Sequence, residues 1–172
     1  MYSKIKIAGH PVHAMLVAFP VAFYTGTLVG FAVYAANGHL FWLNLAIALS
    51  VAGTGTAVLA ALTGLGDWAL GIPRDSEAKG TGLVHAGLNV VALGLFLAAM
   101  ASYVTNWNGP AISATLGLVL SAIGVAVTLA AGFFGWTLVQ DYHVGVHLVP
   151  EQEVAEPAVQ HHHLSPLSRH AA

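Results

Sequence analysis

The sequence predicts an all-α integral membrane protein built as a four-helix bundle. Hydrophobic residues make up 57% of the 172 residues and charged residues only 7%, whereas about 25% of the residues in a soluble domain are charged. Four apolar runs, at residues 14–36, 42–63, 83–104 and 111–136, are each long enough to cross a hydrocarbon layer about 30 Å thick. The connections are short, so we expect one membrane bundle over residues 1–147 and a cytoplasmic tail without its own fold at 148–172.

Charge and cysteine content exclude several partners and cofactors. The net charge is −2 and there is no long basic run, so we expect the lipid bilayer and no nucleic acid as a partner. The chain has no cysteine, which excludes disulfides, iron–sulfur clusters and thiolate metal sites. A bound metal would therefore use histidine, carboxylate or methionine ligands.

Proline and glycine set the predicted helix limits. The first helix is expected to start at Pro11, which suits a first helical turn, and to be kinked by Pro20, which lacks an amide hydrogen. The second apolar run gives way to Gly64-Leu65-Gly66-Asp67-Trp68 and then to a polar loop at 72–80. The third helix is expected to begin near Gly82, and the fourth to run to Trp136.

The charges predict the orientation of the bundle. Four crossings put both termini and the 67–79 loop on one face, and every charged residue falls there. The positive-inside rule makes this face cytoplasmic, so we expect a multi-pass protein of the bacterial inner membrane with both termini inside. The basic residues behind this assignment are Lys4, Lys6, Arg74, Lys79 and Arg169.

Two Val-His-Ala triplets, centred on His13 and His85, stand at equivalent points 72 residues apart. Each opens a helical hairpin that enters the membrane from the inner face. This suggests two parallel helical-hairpin repeats related by an axis along the membrane normal.

The paired histidines are candidate cofactor ligands. Histidine near the end of a membrane helix is costly to bury unless it is paired, ligated or hydrated. If His13 and His85 face each other across the bundle axis, their nitrogens can serve as the two axial ligands of a haem b. Clefts beside Gly87, Gly94 and Gly132 offer space for a flat porphyrin.

Two alternatives stay open. One is a nitrogen and oxygen site for Zn, Fe or Cu. Its ligands would come from the inner-face set His10, His13, Asp67, His85, His143 and His147. The other alternative is that the histidines only make hydrogen bonds, and that no cofactor is bound.

Four segments resemble the bacterial domain-of-unknown-function 2231 family over roughly residues 9–147. They are Gly9-His10-Pro11-Val12-His13-Ala14-Met15-Leu16, Gly64-Leu65-Gly66-Asp67-Trp68, Gly82-Leu83-Val84-His85-Ala86-Gly87-Leu88-Asn89, and the stretch from Gly135-Trp136-Thr137-Leu138-Val139 to His143-Val144-Gly145-Val146. Members of that family are predicted four-helix membrane proteins, and some resemble modules fused to a Rieske iron–sulfur domain. The resemblance implies a place in electron transfer and carries over His10, His13, Asp67 and His85. The sequence departs from it at Trp136, where members often have histidine, and in having no Rieske domain.

Together these patterns predict a membrane subunit of an electron-transfer assembly, with haem b or a metal ion on its inner-face histidines. We expect it to bind protein subunits of a larger membrane complex, which would also hold the tail. The competing hypothesis is a purely structural accessory subunit that packs against larger membrane proteins. A membrane enzyme is not expected, because the spans contain no nucleophile–base pair and no carboxylate pair.

Overall fold

The computed structural model describes residues 3–146 and 149–152, which are predominantly helical. An antiparallel hairpin of two short strands, β1 (Lys6–Ile7) and β2 (His10–Pro11), precedes the helices. The helices are α1 (Val12–Leu16), α2 (Ala18–Asn37), α3 (Leu40–Gly71), α4 (Glu77–Tyr103) and α5 (Thr115–Gln140), with a 3₁₀ turn at Val104–Asn106. Apart from residues 149–152, the predicted tail at 148–172 lies outside the described residues.

Four helical stretches are long and apolar enough to cross a membrane, which confirms the predicted fold class. They are Val12–Asn37, Leu40–Gly71, Glu77–Asn106 and Thr115–Gln140. Only 17–33% of the apolar window in each stretch is buried inside the protein. The remaining faces carry exposed side chains such as Leu129 and Phe133, which suit contact with lipid.

The first span is broken at Val17, three residues before Pro20, as the proline predicted. Pro20 has no amide hydrogen, so the carbonyl of Leu16 loses its partner one turn later. The next bond, from Val21 N to Val17 O, is long at 3.4 Å. The break makes α1 a separate short helix, which starts one residue after Pro11 and packs against α3.

Polar contacts move the other helix ends away from the ends of the apolar runs. α4 begins at Glu77 rather than near Gly82, because the Ser76 hydroxyl caps it by accepting a hydrogen bond from Ala78 N at 3.2 Å. α5 begins at Thr115, after a loop held by two phenol hydroxyls. Tyr34 donates to Ile112 O and Tyr103 donates to Ser113 O, both at 2.8 Å.

The contacts between the two hairpins, α2–α3 and α4–α5, indicate an approximate twofold axis between them. α2 packs against α5 and α3 packs against α4. Three ring pairs meet across the bundle, each between positions 72 residues apart: His13–His85 at 6.3 Å, Tyr24–Phe96 at 3.6 Å and Phe31–Tyr103 at 4.8 Å between ring centres. A residue that meets its own equivalent must lie close to the axis that relates the repeats. These contacts between equivalent positions agree with the predicted parallel repeats.

Equivalent glycines on α3 and α5 extend this symmetry to all four helices. A Cβ added at Gly53 would lie 2.8 Å from the ring of Tyr24, and one added at Gly124 would lie 2.6 Å from the ring of Phe96. These glycines are 71 positions apart, whereas equivalent positions in the first helices of the two repeats are 72 apart. The second repeat is therefore one residue shorter between its two helices. The close approach of helix to ring explains why each position lacks a side chain.

Candidate ligand site at the paired histidines

The structure brings together two of the six predicted ligands, His13 on α1 and His85 on α4. Their ring centres are 6.3 Å apart and their planes are nearly perpendicular, at 89°. Both side chains are partly buried. They form the pair of equivalent residues at the end of the bundle where both hairpins begin.

Each imidazole is oriented by a backbone carbonyl of the second helix in its own hairpin. His13 Nδ1 lies 2.8 Å from Ala60 O on α3, and His85 Nδ1 lies 2.8 Å from Ala131 O on α5. A carbonyl oxygen only accepts hydrogen bonds, so both Nδ1 atoms carry the hydrogen. The lone pair of each neutral ring is then on Nε2, which is the arrangement usual for a metal-binding histidine.

Two equivalent glycines make room for the rings. A Cβ added at Gly64 would lie 2.7 Å from Cε1 of His13, and one added at Gly135 would lie 2.9 Å from Cε1 of His85. Each glycine stands one helical turn after the alanine whose carbonyl binds the ring. Sequence reasoning missed both roles, although the 71-residue spacing of Ala60 with Ala131 and of Gly64 with Gly135 would have revealed them.

Asn89 makes the two histidines different. Its Nδ2 lies 3.3 Å from His85 Nε2 and donates to His85 O at 2.8 Å. An amide nitrogen only donates, so this contact independently places the lone pair of His85 on Nε2. The equivalent position in the first repeat is Val17, which offers no side-chain donor to His13.

Asp67 binds the amino-terminal segment. Its carboxylate accepts hydrogen bonds from Ser3 Oγ at 2.7 Å, Lys4 N at 2.6 Å and Ile5 N at 2.9 Å. Both oxygens are used. The carboxylate therefore anchors the chain just before the β1–β2 hairpin, a role that no sequence pattern indicated.

The remaining predicted metal ligands are not gathered around the pair. His10 is exposed on β2, and His143 lies in a turn after α5 with a positive φ of 50°. His147 lies outside the described residues. Within residues 3–146 and 149–152, no three His, Asp or Glu side chains come together in a way that could hold a metal ion. The six-residue metal site stays a prediction.

The predicted porphyrin clefts open away from the interior. Gly87, Gly94 and Gly132 are exposed, and an added Cβ at any of them would meet no atom within 4 Å. They therefore line the outer surface of the bundle. Trp136, where the family resemblance led us to expect histidine, is also on this surface and is 57% exposed.

Comparison with known proteins gives a family match. Residues 9–148 match the family described as a predicted membrane protein (DUF2231). No curated protein and no solved structure matches the chain.

Proposed function

The chain belongs to the DUF2231 family of predicted membrane proteins, and from the paired histidines we propose that it is a membrane subunit of an electron-transfer assembly. In this proposal His13 and His85 would hold a haem b. The observation that supports it is the facing pair of imidazoles on the bundle axis, each oriented through Nδ1.

The spacing of the rings fits two ligands of one metal ion. An imidazole nitrogen binds a metal ion such as Zn²⁺ at about 2.0–2.1 Å, so two imidazoles that share one ion would have ring centres within roughly 6–7 Å of each other. The observed separation is 6.3 Å. Histidine is an established axial ligand of haem iron, and cofactor sites in helical bundles are commonly built from facing helices.

The protein residues would hold the ligands and tune them. Haem supplies one-electron chemistry when it is bound. The Ala60 and Ala131 carbonyls fix the rotation of each ring and increase the basicity of Nε2. Gly64 and Gly135 let the rings lie against α3 and α5, which restricts their movement.

We place the histidine pair on the cytoplasmic side of a bacterial inner membrane. Lys4, Lys6, Arg74 and Lys79 lie in the segments that flank this end of the bundle, and positively charged residues favour the cytoplasmic face. Other subunits of the assembly would supply and accept the electron, because the described part of the chain carries no further candidate redox group.

A reduced-minus-oxidised absorption spectrum of the full-length protein, purified from cells supplied with haem precursor, tests the proposal. We expect the Soret and α bands of a low-spin b-type haem. His13→Ala and His85→Ala should each abolish them, whereas His39→Ala, at the connection between α2 and α3, should leave them unchanged. Absence of these bands, or a normal spectrum in both variants, would refute haem ligation by this pair.

The second candidate is a structural accessory subunit without a cofactor. It is favoured by the hydrogen bonds that already join each histidine to a second helix, and by the Asn89 contact at His85 Nε2. In that case the purified protein would contain neither haem nor metal by elemental analysis. His13→Ala and His85→Ala would then lower the unfolding midpoint without any spectral change.

A further inference from the structure

Two hydroxyls within the membrane-spanning bundle have no hydrogen-bond partner among the described residues. They belong to Tyr24 on α2 and Thr54 on α3. These side chains are only 3% and 7% exposed, so solvent at the surface does not satisfy them. Native proteins rarely leave a buried hydroxyl unpaired, and ordered water is a common partner for such groups.

The two hydroxyls are on neighbouring helices at the same level of the bundle. Gly53, the residue before Thr54, lies so close to Tyr24 that an added Cβ would be 2.8 Å from the ring. The Tyr24 ring is held flat against Phe96, with a centre distance of 3.6 Å and an interplanar angle of 1°. This stacking restricts the position of the phenol hydroxyl.

The second repeat has no counterpart of this polar pair. The residue equivalent to Tyr24 is Phe96, and the residue equivalent to Thr54 is Val125. The buried serines of α3 and α5, by contrast, are equivalent in the two repeats, at Ser50 and Ser121. The two unpaired hydroxyls are therefore particular to the first repeat.

We propose that the Tyr24 and Thr54 hydroxyls form a buried binding site for water. A buried water needs two to four polar partners, and the two hydroxyls supply the minimum number. The site does not depend on haem, since it uses neither His13 nor His85.

Water-edited solid-state NMR of the full-length protein in lipid bilayers tests this site. Magnetisation from water should reach the Tyr24 ring and the Thr54 methyl group, but not Phe96, which is fully buried in the same stack. Thr54→Val should remove the transfer to Tyr24. Thr56→Val is the matched control, because the Thr56 hydroxyl donates to carbonyls of its own helix. If magnetisation from water reached neither Tyr24 nor Phe96, the proposal would be overturned.

The unfolding midpoint of Tyr24→Phe gives an independent result. If water binds the phenol, removing the hydroxyl leaves that water with Thr54 alone, and the midpoint falls. If the hydroxyl is unpaired, its removal relieves a cost and the midpoint rises, which would contradict the site. The substitution keeps the ring that stacks on Phe96, so the variant is expected to fold.

Discussion

Replacing Gly64 by alanine should disrupt the contact between His13 and α3. The new Cβ would lie 2.7 Å from Cε1 and 2.8 Å from Nδ1 of the imidazole, closer than carbon and ring atoms can approach. Overpacking of this kind costs about 1–3 kcal/mol. Displacing the ring also weakens its hydrogen bond to Ala60 O, which is worth about 0.5–1.5 kcal/mol. In the opposite direction, alanine stabilises a helix by about 0.5–1 kcal/mol relative to glycine. We expect a net loss of about 1–3 kcal/mol in the free energy of unfolding.

The matched control is Gly55→Ala on the same helix, where an added Cβ meets no atom within 4 Å. It should leave the stability unchanged or raise it slightly. Gly135→Ala and Gly132→Ala repeat the comparison on α5, with the larger loss at Gly135, which contacts His85. Unfolding by sodium dodecyl sulfate in detergent micelles, followed by far-UV circular dichroism, measures all four variants. Equal stability of Gly64→Ala and Gly55→Ala would refute the proposed role of the glycines.

Three further substitutions test the contacts around the site and at the far end of the bundle. Asp67→Asn weakens three hydrogen bonds to a carboxylate, each worth at most about 1.5–3 kcal/mol. The backbone amides of Lys4 and Ile5 should therefore exchange faster with deuterium. Asp75→Asn, in the exposed loop, should leave their exchange unchanged. Lys79→Met removes the ammonium that donates to the Trp68 carbonyl and lies 4.1 Å from the centre of the Trp68 ring. The fluorescence of Trp68 should shift, and the backbone amides at the end of α3 should exchange faster with deuterium. An unchanged fluorescence spectrum would contradict this contact. Tyr103→Phe removes the hydrogen bond that the phenol donates to Ser113 O in the loop before α5 and the one that it accepts from Gly117 N in the first turn of α5. It should cost about 1–3 kcal/mol in the same unfolding assay, and an unchanged stability would count against the contact.

The sequence was sufficient for the fold class and the histidine pairing because both depend on patterns along single helices. Apolar runs of more than 20 residues leave few alternatives to membrane helices. The triplets around His13 and His85 have the same place in two similar hairpins. Their meeting on one axis then follows from the parallel arrangement of the repeats.

The immediate surroundings of the histidines were harder to predict because they come from other helices. Ala60 and Ala131 bind the rings through backbone carbonyls, which any residue type could provide. The sequence predicts a helix end at Gly64, but α3 continues to Gly71 and the glycine makes room for His13. Asp67 was expected beside the histidines, whereas its partners are backbone amides and a serine at the amino terminus.

Electron paramagnetic resonance of the oxidised, haem-supplied protein tests most directly whether His13 and His85 hold one iron. Two imidazole nitrogens on one haem iron would give a low-spin ferric signal. We predict that signal in the full-length protein and its loss in His13→Ala and in His85→Ala. A haem-supplied preparation without a low-spin ferric signal, or one whose signal survives both substitutions, would contradict ligation by this pair.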